Sequence, residues 1–174
     1  MTVKKRRVFF NYEKEEKWLN EMASKGLNLI RYSFAEYTFE RGTPGEYNYR
    51  LELLDELPTH SESKEYMKFM EENGVECVDS YLRWVIFRKK AIDGPFEIYS
   101  DYESRVKHYQ KAASLIGIAV GLNLFIAVLN MNYSTFNLYL SMLNWLLVII
   151  LSPVLISYLG KISNLKKEME LHDK

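Results

Sequence analysis

Catalysis needs side chains that can trade protons, electrons or covalent bonds at a fixed separation, and this chain offers few of them. His60, His108 and His172 lie far apart in the sequence, so no His-x-x-x-His or Cys/His spacing can assemble a metal site locally. Cys77 is the single cysteine, which leaves no internal disulfide framework and fits a reducing cytoplasm. Serine and cysteine nucleophiles have no histidine close by in sequence. The segment "GTPG" at residues 42–45 lacks the Gly-Lys-Ser/Thr ending that holds phosphates. Glu15 with Glu16, and Glu71 with Glu72, are adjacent acids, and on helices such pairs read as a solvated face. The sequence predicts no catalytic residue, no metal and no cofactor.

What the chain does carry is aromatic load beside arginine. Tyr32, Phe34, Tyr37, Phe39, Tyr47, Tyr49, Trp84 and Phe87 are interleaved with Arg31, Arg50, Arg83 and Arg88. One reading is core packing on one face of a sheet and solvated arginines on the other. The other brings tyrosine hydroxyls and arginines together in a cleft where a small ligand or peptide stacks and pairs, with Tyr49, Arg50, Arg83 and Trp84 as the candidate ligand-binding residues. Nucleic acid is excluded as a partner, because 23 basic and 23 acidic residues cancel and the acids are mixed into the same strands.

The elements that would position these residues can be read in order through residues 1–92. "RRVFF" reads as a strand, and "NYEKEEKWLNEMASKG" as a helix capped by Asn11 and closed at Gly26, with Trp18, Leu19 and Met22 on its buried face. "LNLIRYSF" and "EYTFER" read as paired strands, and "YNYRLELL" alternates as a half-buried strand does. A Thr59-x-x-Glu62 box opens a second helix that closes at Gly74, and "VECVDS" and "RWVIFRK" supply two more strands. Shifted by 48 residues, the chain matches itself without a gap: Met22 falls on Met70, Gly26 on Gly74, Leu29 on Cys77 and Phe39 on Phe87. The sequence therefore predicts an α+β fold of tandem βαββ modules, in which two helices cover one antiparallel sheet. In element order only, this is similar to the GyrI-like effector-binding domains, a likeness that implies a cleft between modules for small ligands.

Residues 112–160 contain no Asp, Glu, Lys, Arg or His. That length exceeds the ~20 helical residues needed to cross a bilayer, so two spans are expected, about 112–129 and 138–159, broken at "NMNYSTFN". Arg105, Lys107 and Lys111 precede them and Lys161, Lys166 and Lys167 follow, which predicts a multi-pass cell-membrane protein with both termini cytoplasmic. No apolar stretch of signal-peptide type follows the basic start. Residues 93–111 read as a juxtamembrane linker and helix, opened by a Ser100-x-x-Glu103 box, and 160–174 as a cytoplasmic tail. Ala113, Gly117 and Gly121 form a small-residue stripe for helix packing, and Asn123 and Asn144 fall at similar depth, where their amides could bond to each other.

The blocks "EKEEKWLNEMASKG", "YTFERGTPGEYNYRLELLD", "YMKFMEENGVECV", "RWVIFRKK" and "DGPFEIYSD" resemble, in the same order, the cytoplasmic half of the domain-of-unknown-function family 2812. The resemblance spans about residues 8–110. It implies apolar helices after the soluble portion, a Gram-positive host and genes neighbouring PadR-type regulators, and it implies no activity. The expected function is a non-enzymatic, membrane-anchored binding or regulatory module of an envelope-linked system. Its partners would be the bilayer, a protein in the membrane or cytoplasm, and a small ligand or peptide. The alternatives are an accessory subunit of a transporter or immunity system, and then an enzyme.

Overall fold

The computed structural model describes residues 2–132 and 135–172, and the chain divides into two compact units after Ile98. The first unit runs β1 (Thr2–Arg6), α1 (Tyr12–Ala23), β2 (Leu27–Ser33), β3 (Glu36–Arg41), β4 (Tyr47–Leu53), α2 (Ser61–Glu72), β5 (Val75–Tyr81) and β6 (Trp84–Lys90). The class is α+β. The six strands do not share one sheet, however, but form two three-stranded antiparallel sheets ordered β1-β3-β2 and β4-β6-β5.

The reason lies in the strands that meet between the sheets. β2 and β5 are neighbours, yet each carries a register slip, between Leu29 and Arg31 in β2 and between Cys77 and Asp79 in β5. A bulge bends its strand and breaks the even row of N–H and C=O groups that a ladder needs. Side chains take those groups instead. The Leu29 N–H donates to the Tyr49 hydroxyl at 2.8 Å, the Tyr32 N–H donates to Asp79 Oδ2 at 2.7 Å, and Arg88 Nη1 donates to the Leu29 carbonyl at 3.2 Å.

The first strand also begins earlier than the sequence suggests, since Arg7 to Phe10 lie beyond β1. α1 starts as expected: the Asn11 side chain accepts from the Glu13 and Lys14 N–H groups at 2.9 and 3.3 Å. α2 does not use the Thr59 box. His60 occupies the cap position without a side-chain bond, and the helix is held by packing of Met70 instead. The two helices serve separate cores. Trp18, Leu19, Met22 and Ala23 of α1 pack with Leu29, Tyr37 and Phe39 of one sheet and Tyr49, Leu51 and Ile86 of the other. Met70 packs with Leu54, Val75, Val85, Phe87 and Phe96. Each fully buried large side chain contributes about 2 kcal/mol, so the α1 core dominates.

Gly26 and Gly74 both have positive φ, 73° and 78°, where an L side chain is strained. Their surroundings differ. A Cβ on Gly26 would sit 2.7 Å from the Gly42 carbonyl oxygen, whereas one on Gly74 would meet nothing within 4 Å. Substitution by valine is therefore expected to cost about 1 kcal/mol at Gly74 and clearly more at Gly26, read from the urea midpoints of the two variants. Equal costs would mean that the backbone contact at Gly42 yields freely.

The turns that close β2–β3 and β5–β6 are two residues long, and their chemistry is unusual. Phe34 and Ala35 have φ of 41° and 64°, and Leu82 has φ of 53°. Turns of this kind favour Asn-Gly or another glycine pair, and each non-glycine residue costs about 1 kcal/mol. Phe34 is 96% exposed and Leu82 78%, so no packing in the described residues offsets the strain.

The second unit consists of α3 (Tyr102–Leu129) and α4 (Thr135–His172). α3 is capped by Asp101, whose side chain accepts from the Ser104 N–H at 2.8 Å, one residue later than the expected Ser100 box. Less exposed residues recur at alternating intervals of three and four: Val106, Tyr109, Ala113, Ile116, Val120, Asn123 and Ala127 on α3, and Ser141, Asn144, Val148, Leu151, Leu155, Tyr158, Ile162 and Leu165 on α4. That spacing is a heptad seam. The Ser141 hydroxyl donates across it to the Ala127 carbonyl at 2.7 Å, and the Tyr109 and Tyr158 rings meet at 6.1 Å, which makes the pair antiparallel.

Both helices are long and apolar enough to cross a membrane, and only 17% of the most apolar window of each is buried. A soluble core helix would be mostly buried. The small-residue stripe holds in part: Ala113 is buried and a Cβ on Gly117 would touch Leu155 at 3.8 Å, but Gly121 faces away, with nothing within 4 Å. Asn123 and Asn144 do lie on the seam, yet their amides do not bond to each other. Each donates to its own helix, Asn123 to the Ala119 carbonyl at 2.8 Å and Asn144 to the Leu140 carbonyl at 2.7 Å, because a carbonyl four residues back is reachable without bringing the helices closer.

Candidate functional site

β4 is an edge strand, and an edge presents unpaired backbone groups that invite another chain. α1 closes it with side chains. The Asn20 amide accepts from the Tyr49 N–H at 2.9 Å and donates to the Tyr49 carbonyl at 3.0 Å, as a neighbouring strand would. One turn earlier, Glu16 Oε2 accepts from the Leu51 N–H at 3.0 Å. Glu16 also pairs with Arg50 at 3.3 Å. Burial raises the Glu16 carboxyl above the usual range, against the pull of Arg50 and the Leu51 N–H.

Glu15, on the next face of the helix, points into the main core and is only 3% exposed. Its carboxylate accepts from the Tyr37 hydroxyl at 2.7 Å and from the Tyr81 hydroxyl at 2.9 Å. Tyr37 belongs to β3 of one sheet and Tyr81 to β5 of the other, so a single carboxylate ties α1 to both. Tyr32 packs on both rings, at 4.9 Å from Tyr37 and 4.5 Å from Tyr81. Burial raises the Glu15 carboxyl, and the two tyrosine bonds offset it only in part. Burial and the nearby Glu15 push both phenols far above their ordinary value, which keeps them protonated and donating. The adjacent acids of α1 are thus no solvated face. Perturbed carboxyls of this kind occur in functional sites and in structural networks alike, and here the carboxyl joins α1 to both sheets.

The four residues singled out from sequence do not converge. Tyr49 is fully buried and its hydroxyl serves the β2 edge. Arg50, next on the strand, points to the other face and reaches Glu16 and Glu97. Arg83 lies in a turn rather than on a strand and donates to the Asp55 carbonyl at 2.8 Å. Trp84 is half-buried against Tyr12, rings 5.1 Å apart. The arginine at the junction is Arg88 instead. Its guanidinium lies 4.2 Å from the centre of the Tyr47 ring, and it bonds Glu76 Oε2 at 2.7 Å and the Leu29 carbonyl. Sequence reasoning read Glu15 and Glu16 only as a solvated face and missed Asn20 altogether. The available signal was their spacing: Glu15 lies three and four residues before Trp18 and Leu19, on the apolar stripe.

Among the described residues no group of three or more His, Cys, Asp or Glu side chains could hold a metal ion. No curated protein and no solved structure matches the chain. The family described as "Protein of unknown function (DUF2812)" matches residues 11–120, from the cap of α1 through β6 into α3, and the chain belongs to that family.

Proposed function

We propose that the protein is a membrane-anchored binding or regulatory module, with the first unit and both termini in the cytoplasm and α3–α4 as a transmembrane hairpin. The observation that carries the reading is the pair of long apolar helices left largely uncovered. Supporting it, Tyr109 and Tyr158 lie together at the end where the basic flanks meet, and Lys161 Nζ lies 5.4 Å from the Tyr109 ring centre. Tyrosine and lysine favour that depth of a bilayer.

The binding half of the reading is supported by the Glu15 junction. A leucine there would pack without the cost of desolvating a charge, and a carboxyl kept there with its proton affinity raised by burial is a kind of group that functional sites use. The tandem βαββ reading is supported by the registers. Leu27 opposite Arg41 and Leu29 opposite Phe39 recur 48 residues later as Val75 opposite Lys89 and Cys77 opposite Phe87, with both slips at matching positions.

Cysteine accessibility in intact cells tests the anchoring. Ser24→Cys and Asn164→Cys, both exposed on the molecule, are expected to resist an impermeant thiol reagent until the cells are permeabilised, while Met131→Cys reacts at once. Ser134, the loop position favoured by sequence, lies outside the described residues. Native Cys77 gives a low background, because burial and then Glu71 and Asp79 push its thiol up to about 11. Labelling of Ser24→Cys without permeabilisation would reverse the topology.

A second reading, an accessory subunit docked through its spans, draws on the outer face of α3, where Ile118, Leu122 and Phe125 are exposed beside Gly121. Replacing both spans by an unrelated hairpin separates the two, since only the accessory-subunit reading expects loss of a co-purifying membrane protein.

A further inference from the structure

Two three-stranded sheets have four edges, and the first unit closes three of them with its own side chains. β4 is covered by Asn20 and Glu16, and β2 and β5 face each other through Tyr49, Asp79 and Arg88. β1 is the fourth edge, and among the described residues no strand lies on its outer side. Which of its backbone groups are free follows from the register. β1 and β3 pair without a slip from Thr2–Glu40 to Arg6–Glu36, and the Arg7 N–H donates to the Ala35 carbonyl at 2.9 Å in continuation of that ladder. In an antiparallel pair, residues that bond across alternate with residues that do not, so Val3 and Lys5 turn their backbone groups toward β3. Thr2, Lys4 and Arg6 turn theirs outward. A bulge or a proline would spoil such an edge, and Thr2 to Arg6 contain neither.

We propose that the outer side of β1 binds an acidic segment in extended conformation, as a fourth strand of its sheet. Main-chain bonds give such an added strand its affinity, and side chains give it specificity. Charge selects the occupant. Lys4, Lys5, Arg6 and Arg7 are consecutive, and among the described residues Glu36 is the one carboxylate that pairs with any of them, shared by Lys4 at 2.7 Å and Arg6 at 3.1 Å. Lys5 is half-buried on the face that carries Val3, and Arg7 lies over the Phe9 and Trp18 rings. A second copy of β1 is a poor occupant, because two-fold pairing over the full strand sets Lys4 opposite Lys4, and like charges directly opposite destabilise a ladder. Lysine on an edge repels unselected strands in the same way, and an acidic strand is the one it admits. The acids lie two residues apart, opposite Lys4 and Arg6, and the alternate residues are apolar, against Val3 and the stem of Lys5. The proposal rests on the reading of the first unit as a binding module and is independent of the anchoring.

The test uses the full chain with isotope-labelled lysine in a nonionic detergent, and the probe is the capped peptide Glu-Val-Glu-Val-Glu-Val-Glu. Amide hydrogen exchange is read by NMR at Lys4, whose N–H points outward, and at Lys5, whose N–H is already in the ladder. Saturating peptide is expected to slow exchange at Lys4 by at least about tenfold and to change Lys5 little. Lys4→Pro removes the outward N–H, a change that an edge strand tolerates, and is expected to weaken binding by at least about tenfold. Lys4→Thr keeps the N–H and loses one exposed charge, so it weakens binding only ~3-fold. Should Lys4→Pro fail to fold, exchange at Lys4 in the native chain decides alone. Binding that leaves Lys4 exchange unchanged overturns the edge, while the first unit remains a binding module. Absence of binding at low salt, or equal binding of the peptide with Lys in place of Glu, overturns the edge and removes acidic segments from the binding reading. Protection of Lys4 that grows with protein concentration and needs no peptide overturns the proposal in favour of a second copy of the chain.

Discussion

Arg88→Met is expected to destabilise the first unit by roughly 3 kcal/mol, the largest effect of any single surface-reaching residue. Its side chain is 17% exposed and its contacts come from three strands: Glu76 on β5, the Leu29 carbonyl on β2 and the Tyr47 ring on β4. Hydrogen bonds to charged groups contribute about 1.5–3 kcal/mol each when their partners are left dry, and removing one member of a buried pair strands the other. Partial exposure lowers the figure for Glu76, but the Leu29 carbonyl belongs to a bulged edge with no ladder partner on that side. Arg88→Lys should recover little, because one ammonium cannot serve Glu76, a carbonyl and a ring face in one plane. Urea unfolding of the full chain, followed by near-ultraviolet circular dichroism, measures both variants. A loss below about 1 kcal/mol for Arg88→Met would mean that its contacts add little to the joint between the two sheets.

Glu15→Ala should cost about 2–4 kcal/mol, since it opens a cavity and leaves the Tyr37 and Tyr81 hydroxyls without their acceptor. Glu15→Gln should cost far less near neutral pH, because the amide keeps the shape and removes a charge from the core. The pH dependence separates them. A carboxyl whose folded pKa is raised binds its proton more tightly in the native state than in the unfolded chain. Its contribution to stability is therefore greatest below the ordinary carboxylate value of 4.5 and is lost as pH rises through the folded value. Glu16 shifts in the same direction, so Glu15→Gln should flatten part of the decline and not all of it. An unchanged slope between mildly acid and neutral pH would show that Glu15 carries its charge in the core without penalty.

The fold was legible in sequence wherever a local rule governs it. Asn11 caps α1, the strands of both hairpins lie where alternation puts them, and the absence of charge from Ala112 to Gly160 gives two long helices. Sheet number was not legible. Whether β2 and β5 pair depends on single-residue slips at Ile30 and Val78, and no residue type there announces a bulge. The candidate site failed for a related reason. Glu15 and Glu16 look alike as adjacent acids, yet helical geometry sends one into the core and the other to a strand edge, and only the tyrosines from distant strands make the first tolerable. Tyr49 and Arg88 were noticed for their chemistry, but the backbone groups they satisfy are orphaned by tertiary structure and cannot be seen along the chain. Asn123 and Asn144 both lie on the seam, but each amide bonds a carbonyl of its own helix, a choice that spacing along the chain does not decide.

The closure of β4 by Asn20 and Glu16 has a consequence for how the chain is made. Synthesis delivers α1 before β4, so the helix that covers this edge leaves the ribosome some twenty-five residues ahead of the strand it covers. β6, which pairs the opposite side of β4, arrives last of the six strands. During that interval a bare strand would be open to pairing with another nascent chain, and the amide of Asn20 already stands in for the missing neighbour. Loss of that amide would then be felt less in the finished molecule than in the yield of chains that fold without aggregating.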